Sequence, residues 1–393
     1  MPSMPGFLKP YRPFLLFATL FFTSMFVLEH VNGRFLLNDF RVYWSAADAL
    51  LNGKQVYGLP FGENTGFYKY SPFAAMLVVP LALLPFQVAS VIWFWCIATA
   101  SVALIILLHR VLEQETFGRS VRRPNLFLSL SLLCIGNHLV RELHLGNVNV
   151  FVLLFAAIAF RIPIAKPKVA GALLALLFMV KPYLGILFVP FVLRGQWKVL
   201  AAASAAGVVM LLLPVVFGFS KAMELHVEWL QAMSQHGEYL TSGNTVSSFL
   251  HRLTGVADAA PLQLCIIAAA LGLIALVVWR EQAVPLRGDK RFLLFFGILA
   301  ILPNLVITDT QHFLFALPLF MFVLHYLSQR RDPTVLAVFV VICLLHGGNS
   351  SDLLGSDLSD RMNAWGALGM ANLLLIGLCA WLASRSDGKT TSA

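Results

Sequence analysis

The chain has 393 residues, of which 59% are hydrophobic and only 12% charged. A soluble domain carries roughly twice that charged fraction, and no long polar block is present, so composition excludes a water-soluble protein and points to one membrane-embedded unit. The net charge of +9 does not signal a nucleic-acid partner, because the basic residues sit in short loops between apolar runs rather than along a stripe.

A helix needs about 20 apolar residues to cross the hydrocarbon core. The first run, residues 13–28, follows Lys9 and Arg12 and exits into Leu28-Glu29-His30-Val31-Asn32. No small-residue cleavage site follows it, which predicts an uncleaved first helix with a cytoplasmic N-terminus. Further spans are expected near 88–109, 125–140, 148–162, 169–180, 183–194, 198–217, 262–279, 292–307, 313–327, 333–347 and 363–383. Together with a first span near 13–30 this predicts an all-α polytopic membrane protein with about 12 transmembrane helices. The segment Pro72–Phe86 is apolar but short and carries Pro72, Pro80 and Pro85. Kept on the outer side, it leaves 19 Lys and Arg in cytoplasmic loops and nine outside. Counted as a span, it reverses the split to seven inside and 21 outside. The bias of basic residues toward the cytoplasm therefore predicts a re-entrant or interfacial segment, tolerated where protein or a cavity covers it. Both termini are then cytoplasmic. Two outer loops, 31–87 and 218–261, exceed what a simple connection needs. Residues 384–393 read as a disordered cytoplasmic tail. Trp197, Trp279, Trp365 and Trp381 fall at helix ends, as an interfacial belt requires. The five cysteines lie inside apolar runs with no metal or disulfide spacing and read as small buried hydrophobes.

Chemistry concentrates at the loop ends. Asp39, in Asn38-Asp39-Phe40-Arg41-Val42-Tyr43, follows the first span closely. Its carboxylate suits proton abstraction from a hydroxyl or a helix cap for the segment that follows. Tyr68-Lys69-Tyr70-Ser71-Pro72 offers aromatic faces for a sugar and an ammonium for phosphate, or interfacial anchors. In Arg141-Glu142-Leu143-His144-Leu145-Gly146-Asn147-Val148-Asn149, Arg141 and His144 are candidate phosphate donors. Lys181 interrupts the apolar run Ala170–Val192 beside Pro182. A lysine at that depth marks a functional site, and two half-helices meeting at Lys-Pro would present its ammonium in a cavity. A structural ion pair with Glu142 or Asp309 is the other reading. Asn244, in Gly243-Asn244-Thr245, is a candidate for a sugar hydroxyl or a helix cap, and Arg252 for phosphate. His312, in Thr308-Asp309-Thr310-Gln311-His312, is a further candidate for phosphate or sugar. Walker A, paired-Asp and zinc signatures are absent from the sequence.

These pieces, in order across residues 35–320, resemble glycosyltransferase family 87, the polyprenol-phosphate-sugar-dependent enzymes of the GT-C membrane class. The resemblance is carried by Asn38-Asp39-Phe40 with Tyr43, Gly53 with Tyr57, Tyr68-x-Tyr70-x-Pro72, Gly146-Asn147-x-Asn149, Ala170-Gly171 leading to Lys181-Pro182, Gly243-Asn244, and Gln311-His312. The family pattern has Gln where this chain has Asn147. The resemblance implies transfer of a sugar, often mannose, from a polyprenyl-phosphate donor to a lipid or glycan acceptor at the outer face of a bacterial inner membrane. Asp39 would then be the base, with Lys181 and Arg141, His144 or His312 on the phosphate. No metal or cofactor is required by that scheme. A lipid or solute transporter coupled through Lys181 and Asp309 is the alternative, and no inverted repeat supports it.

Overall fold

The computed structural model describes residues 6–62, 66–163, 165–234, 244–255, 260–279, 288–305, 309–348 and 354–385. Most of the predicted tail, Gly243 and Thr308 lie outside the described residues. Among the described residues the protein is helical, with a single isolated bridge between Pro60 and Phe67. Among the described residues five helices, the first including α1 (Arg12–Val31), are long and apolar enough to cross a membrane, or six if the bent pair α5 (Pro124–Cys134) and α6 (Gly136–Leu145) is one span. The expected count of about twelve is not reproduced. The runs at Asn149–Arg161 and Pro167–Val180 are apolar but form helices of 13 and 14 residues. At 1.5 Å per residue these reach about 20 Å, short of the roughly 30 Å core. Hydropathy registers apolarity, and these helices are apolar without being long.

The chain forms two compact units. One comprises Phe22–Leu104 and Val140–Tyr239. Its helices include α2 (Asn38–Leu51), α3 (Pro72–Ala82), the first two-thirds of α4 (Phe86–Val111), most of α6 (Gly136–Leu145), α7 (Asn149–Arg161), α8 (Pro167–Val180), α9 (Val189–Leu193), α10 (Trp197–Leu212) and α11 (Phe219–Ser234). α2 lies on α3, and α8 on both α7 and α10. The α8–α10 contact needs Gly171, where an added Cβ would sit 2.5 Å from the Val199 carbonyl oxygen. Small residues let membrane helices approach to backbone contact in this way. α10 exposes Val208, Val209 and Leu212, apolar surface that only a lipid exterior accommodates cheaply. α3 begins at Ser71, whose hydroxyl caps Ala74 N–H, followed by proline at the first helical position. Its 11 residues extend about 16 Å.

The other unit comprises Met1–Phe21, Ile105–Leu139 and Leu240–Ala393. Its centre is a helix over Gly288–Leu305, buried along nearly its whole length, packed by a helix over Ala367–Arg385. Asn372 donates to the Ala300 carbonyl at 2.6 Å across that contact. The cysteines depart from expectation: Cys379 is buried, whereas Cys96 and Cys265 are exposed. A thiol on a helix facing hydrocarbon meets an apolar neighbour either way, so membrane solvent removes the pressure to bury it.

Candidate functional site

Asp39 lies in the first turn of α2. The cap position belongs to Leu37, which makes no side-chain cap bond, so Asp39 is not the cap of its own helix. Leu37 is the one non-glycine residue with positive φ among the described residues, at 42°, and it is fully buried. A left-handed leucine costs of order 1–3 kcal/mol and persists only when its surroundings over-determine it. Those surroundings are the turn between α6 and α7. Gly146 there has φ +69°, and an added Cβ would lie 2.8 Å from Phe40 Cβ and 3.1 Å from Leu37 Cβ. Trp93 of α4 clamps the same turn, donating from Nε1 to the Gly146 carbonyl at 2.8 Å while its ring stacks on Phe40 at 4.8 Å. This close approach places Asn147 against Asp39, and the Asn147 amide donates to the Asp39 carboxylate. Gly146→Ala is expected to cost roughly 1–3 kcal/mol through backbone strain and to lower turnover through displacement of Asp39. Detergent thermal melts and transfer rates on the same preparation check both.

Lys181 sits where α8 ends. The break is in place: α8 stops at Val180, Lys181 is extended (φ −138°, ψ 97°), and Pro182–Phe188 continues as a 3-10 turn. The residue is 4% exposed. Its ammonium donates to Asn149 Oδ1 at 2.6 Å. The same Asn149 donates from Nδ2 to Glu142 Oε2 at 2.9 Å, and Val150 N–H donates to Glu142 Oε1 at 3.1 Å. Glu142 is fully buried and lies at the N-terminus of α7, where helix N–H groups and the macrodipole favour an anion. Asp39 and Glu142 are both within electrostatic reach of Lys181. Tyr183, two residues on, has a hydroxyl that is buried with no hydrogen-bond partner. An unmet buried hydroxyl costs about 1–3 kcal/mol, which a ligand accepting its proton would offset.

Above Asp39 runs a tyrosine cluster. Tyr43 and Tyr70 join hydroxyls at 3.0 Å, Tyr57 donates to the Tyr70 carbonyl at 2.8 Å, and Tyr68 donates to the Ser71 carbonyl at 3.2 Å. Burial, then the negative charge of Asp39, pushes the Tyr70 phenol above its ordinary range, so it remains a proton donor. Tyr68 is 1% exposed and is not an interfacial anchor. Lys69 is half-buried; burial pushes its ammonium below the ordinary lysine range, while the charge of Asp39 pulls the other way. Its main chain is held by Trp229, which donates to the Lys69 carbonyl at 3.2 Å. Beneath Tyr43, Tyr68 and Tyr70 opens an apolar cavity of about 220 Å³ whose walls include Trp93, Phe151, Phe155 and Leu177. Val148 and Val180 also line it, and each directly precedes a polar position, Asn147-Val148-Asn149 and Val180-Lys181.

The remaining sequence candidates fall elsewhere. His144 pairs with Glu29 at 2.8 Å, and Arg141 is exposed on the outward face of α6. Asn244, Arg252 and His312 belong to the other unit. Asn244 is half-buried, one residue before the helix cap Thr245. Arg252 donates to the Ala364 carbonyl at 2.9 Å and lies over the Trp365 ring. His312 contacts the Asp309 carbonyl at 3.2 Å. Among the described residues no group of three or more His, Cys, Asp or Glu is arranged to hold a metal ion. Sequence reading missed Glu142 as a site residue, along with Asn147, Asn149 and Tyr183. The available signal was the pattern Glu142…Asn147-x-Asn149, polar residues recurring next to a positive-φ glycine.

The buried carboxylate of Glu142, the buried ammonium of Lys181 at a helix break and an apolar cavity lined by Val148 and Val180 thus come together within one unit. The family model for glycosyltransferase family 87 matches residues 67–303, and the chain belongs to that family; the protein is a membrane glycosyltransferase. It is 26% identical over 309 residues to the polyprenol-phosphate-mannose-dependent alpha-(1-2)-phosphatidylinositol pentamannoside mannosyltransferase of Mycolicibacterium smegmatis, covering 76% of this chain and 72% of that protein. It is also 26% identical over 181 residues to an alpha-(1->3)-arabinofuranosyltransferase of Mycobacterium tuberculosis, covering 44% of this chain and 40% of that protein. No solved structure matches it significantly.

Proposed function

We propose that the protein transfers a sugar, mannose in the first instance, from a polyprenyl-phosphate donor to a hydroxyl of a lipid or glycan acceptor. The observation that carries this reading is Lys181 at a helix break beside an apolar cavity: a cation for phosphate adjoining a groove for a prenyl chain. The name of the Mycolicibacterium smegmatis relative supports the donor class. Asp39 takes the acceptor hydroxyl proton as that oxygen bonds to the anomeric carbon. The bond from that carbon to the phosphate oxygen breaks, and polyprenyl phosphate leaves with one added negative charge. Lys181 and the Tyr183 hydroxyl meet that charge where it grows, the position from which preorganised donors contribute most. A single displacement inverts the anomeric centre. Incubating purified protein with polyprenyl-phosphate mannose and a membrane-lipid extract tests the reading. A mannosylated lipid with inverted linkage is expected. Consumption of no donor, with net lipid movement across reconstituted vesicles instead, would indicate a transporter.

Tyr183→Phe separates ligand binding from packing. Losing an unpartnered hydroxyl should leave the melting temperature unchanged or raised, while KM for the donor rises severalfold, by about 1 kcal/mol. A lowered melting temperature with unchanged KM would make the hydroxyl structural.

The bias of basic residues toward cytoplasmic loops supports an arrangement with Asp39, α2 and α3 on the outer side of a bacterial inner membrane and both termini cytoplasmic. A cysteine replacing the exposed Lys54 is expected to react with an impermeant thiol reagent in intact spheroplasts. Labelling only after lysis would reverse the orientation.

A further inference from the structure

We infer that Glu142 is a positioning residue for the donor phosphate, acting through Asn149 to hold the Lys181 ammonium in place. This rests on the reading of Lys181 as the phosphate cation. The argument is one of donors and acceptors. An ammonium only donates hydrogen bonds and a carboxylate only accepts them, whereas a carboxamide does both. Glu142 takes Val150 N–H on one oxygen and the Asn149 amide N–H on the other. The Asn149 carbonyl is thereby turned toward Lys181, which it meets at 2.6 Å. Val150 N–H cannot rotate, being the second backbone donor of α7, so the helix terminus fixes the carboxylate, the carboxylate fixes the amide, and the amide fixes the ammonium. Glu142 is fully buried and Lys181 nearly so, so no solvent competes for these groups.

Glu142→Gln is close in shape and inverts one link. The new side chain must still offer its oxygen to Val150 N–H, which points its own NH₂ at Asn149. Asn149 then flips to accept, and its NH₂ faces the ammonium, donor against donor. Lys181 loses the Asn149 acceptor while keeping its volume and its charge.

The test is equilibrium binding of undecaprenyl phosphate to the purified full chain in detergent, with phosphate-free undecaprenol as the paired probe. Lys181→Met is expected to weaken phosphate-lipid binding by about tenfold or more, and Glu142→Gln by roughly three- to tenfold. Undecaprenol binding should change in neither. Glu142→Gln added to Lys181→Met should weaken binding no further, because it acts through Lys181. Asn149→Ala, which removes the linking amide and leaves Glu142 on Val150 N–H, reads the same role if Glu142→Gln yields no folded protein. Equal weakening toward both lipids, or an additive double variant, overturns the inference in favour of general packing. Weak Lys181→Met beside an unaffected Glu142→Gln and an unaffected Asn149→Ala overturns it alone. Undiminished phosphate-lipid binding by Lys181→Met overturns the underlying reading and this inference with it.

Discussion

Asp39→Asn is expected to give a folded, donor-binding protein whose turnover falls by about 10²- to 10⁴-fold, the range general-base catalysis supplies. The substitution keeps size and shape and removes the basic oxygen. The Asn147 amide now donates to the Asp39 carboxylate, and it finds a carbonyl oxygen on the new side chain in the same place, so the helix entry should hold. Asp39 does not cap α2, which limits the stability cost. Single-turnover transfer beside donor binding on one preparation decides the matter. Near wild-type turnover would move the base elsewhere, and lost donor binding would make Asp39 a binding group.

Lys181→Met is expected to lower kcat/KM for the donor by about 2 kcal/mol or more, because the interaction strengthens as the phosphate gains charge. Stability has two opposing contributions. Removing a buried ammonium relieves its desolvation, whereas Glu142 is left as a buried carboxylate without a cation, a change that costs roughly 3–5 kcal/mol when a direct pair is broken. Here Asn149 stands between the two charges, and Glu142 keeps both of its N–H donors. The destabilisation should therefore be smaller than for a direct pair, and the loss of transfer should dominate. A Lys181→Met protein whose folded fraction transfers at the wild-type rate would falsify the phosphate role.

The two residues at the centre of these predictions were legible because each breaks a local rule. Lys181 with Pro182 interrupts an apolar run, and Asp39 stands just past a span. The helix break at Lys181 is where the sequence indicates. The partners were not legible for the opposite reason. Asn147 reaches Asp39 across 108 positions and Lys181 reaches Asn149 across 32, and nothing local signals either pairing. Glu142 reads from the sequence as a direct ion-pair partner of Lys181, and the Asn149 amide that stands between them was not foreseen. Successive residues on a helix point about 100° apart, and α6 turns Arg141 outward and the Glu142 carboxylate inward. The tyrosines beside Lys69 read as faces for a sugar or as interfacial anchors, and burial in this loop was not foreseen: Tyr57 and Tyr68 are buried and bond to main-chain carbonyls. The expected number of spans is not reproduced among the described residues for a related reason: Pro167 and the Lys181-Pro182 break shorten α8 at either end, and an apolarity profile does not measure helix length.

The backbone contact between Gly146 and the start of α2 also has a temporal side. The carboxylate of Asp39 leaves the ribosome 108 residues before Asn147. At about 5–20 residues per second the interval is roughly 5–20 s. Through that interval α2 has no turn to lie against, Leu37 has nothing to hold it left-handed, and Asp39 has no amide partner. An ionised carboxylate left in hydrocarbon would cost several kcal/mol, so nascent α2 must wait in the wet headgroup layer and dock only once α4, α6 and the start of α7 have been inserted. A nascent chain arrested before Gly146 should therefore leave α2 open to protease, and one arrested beyond α7 should protect it.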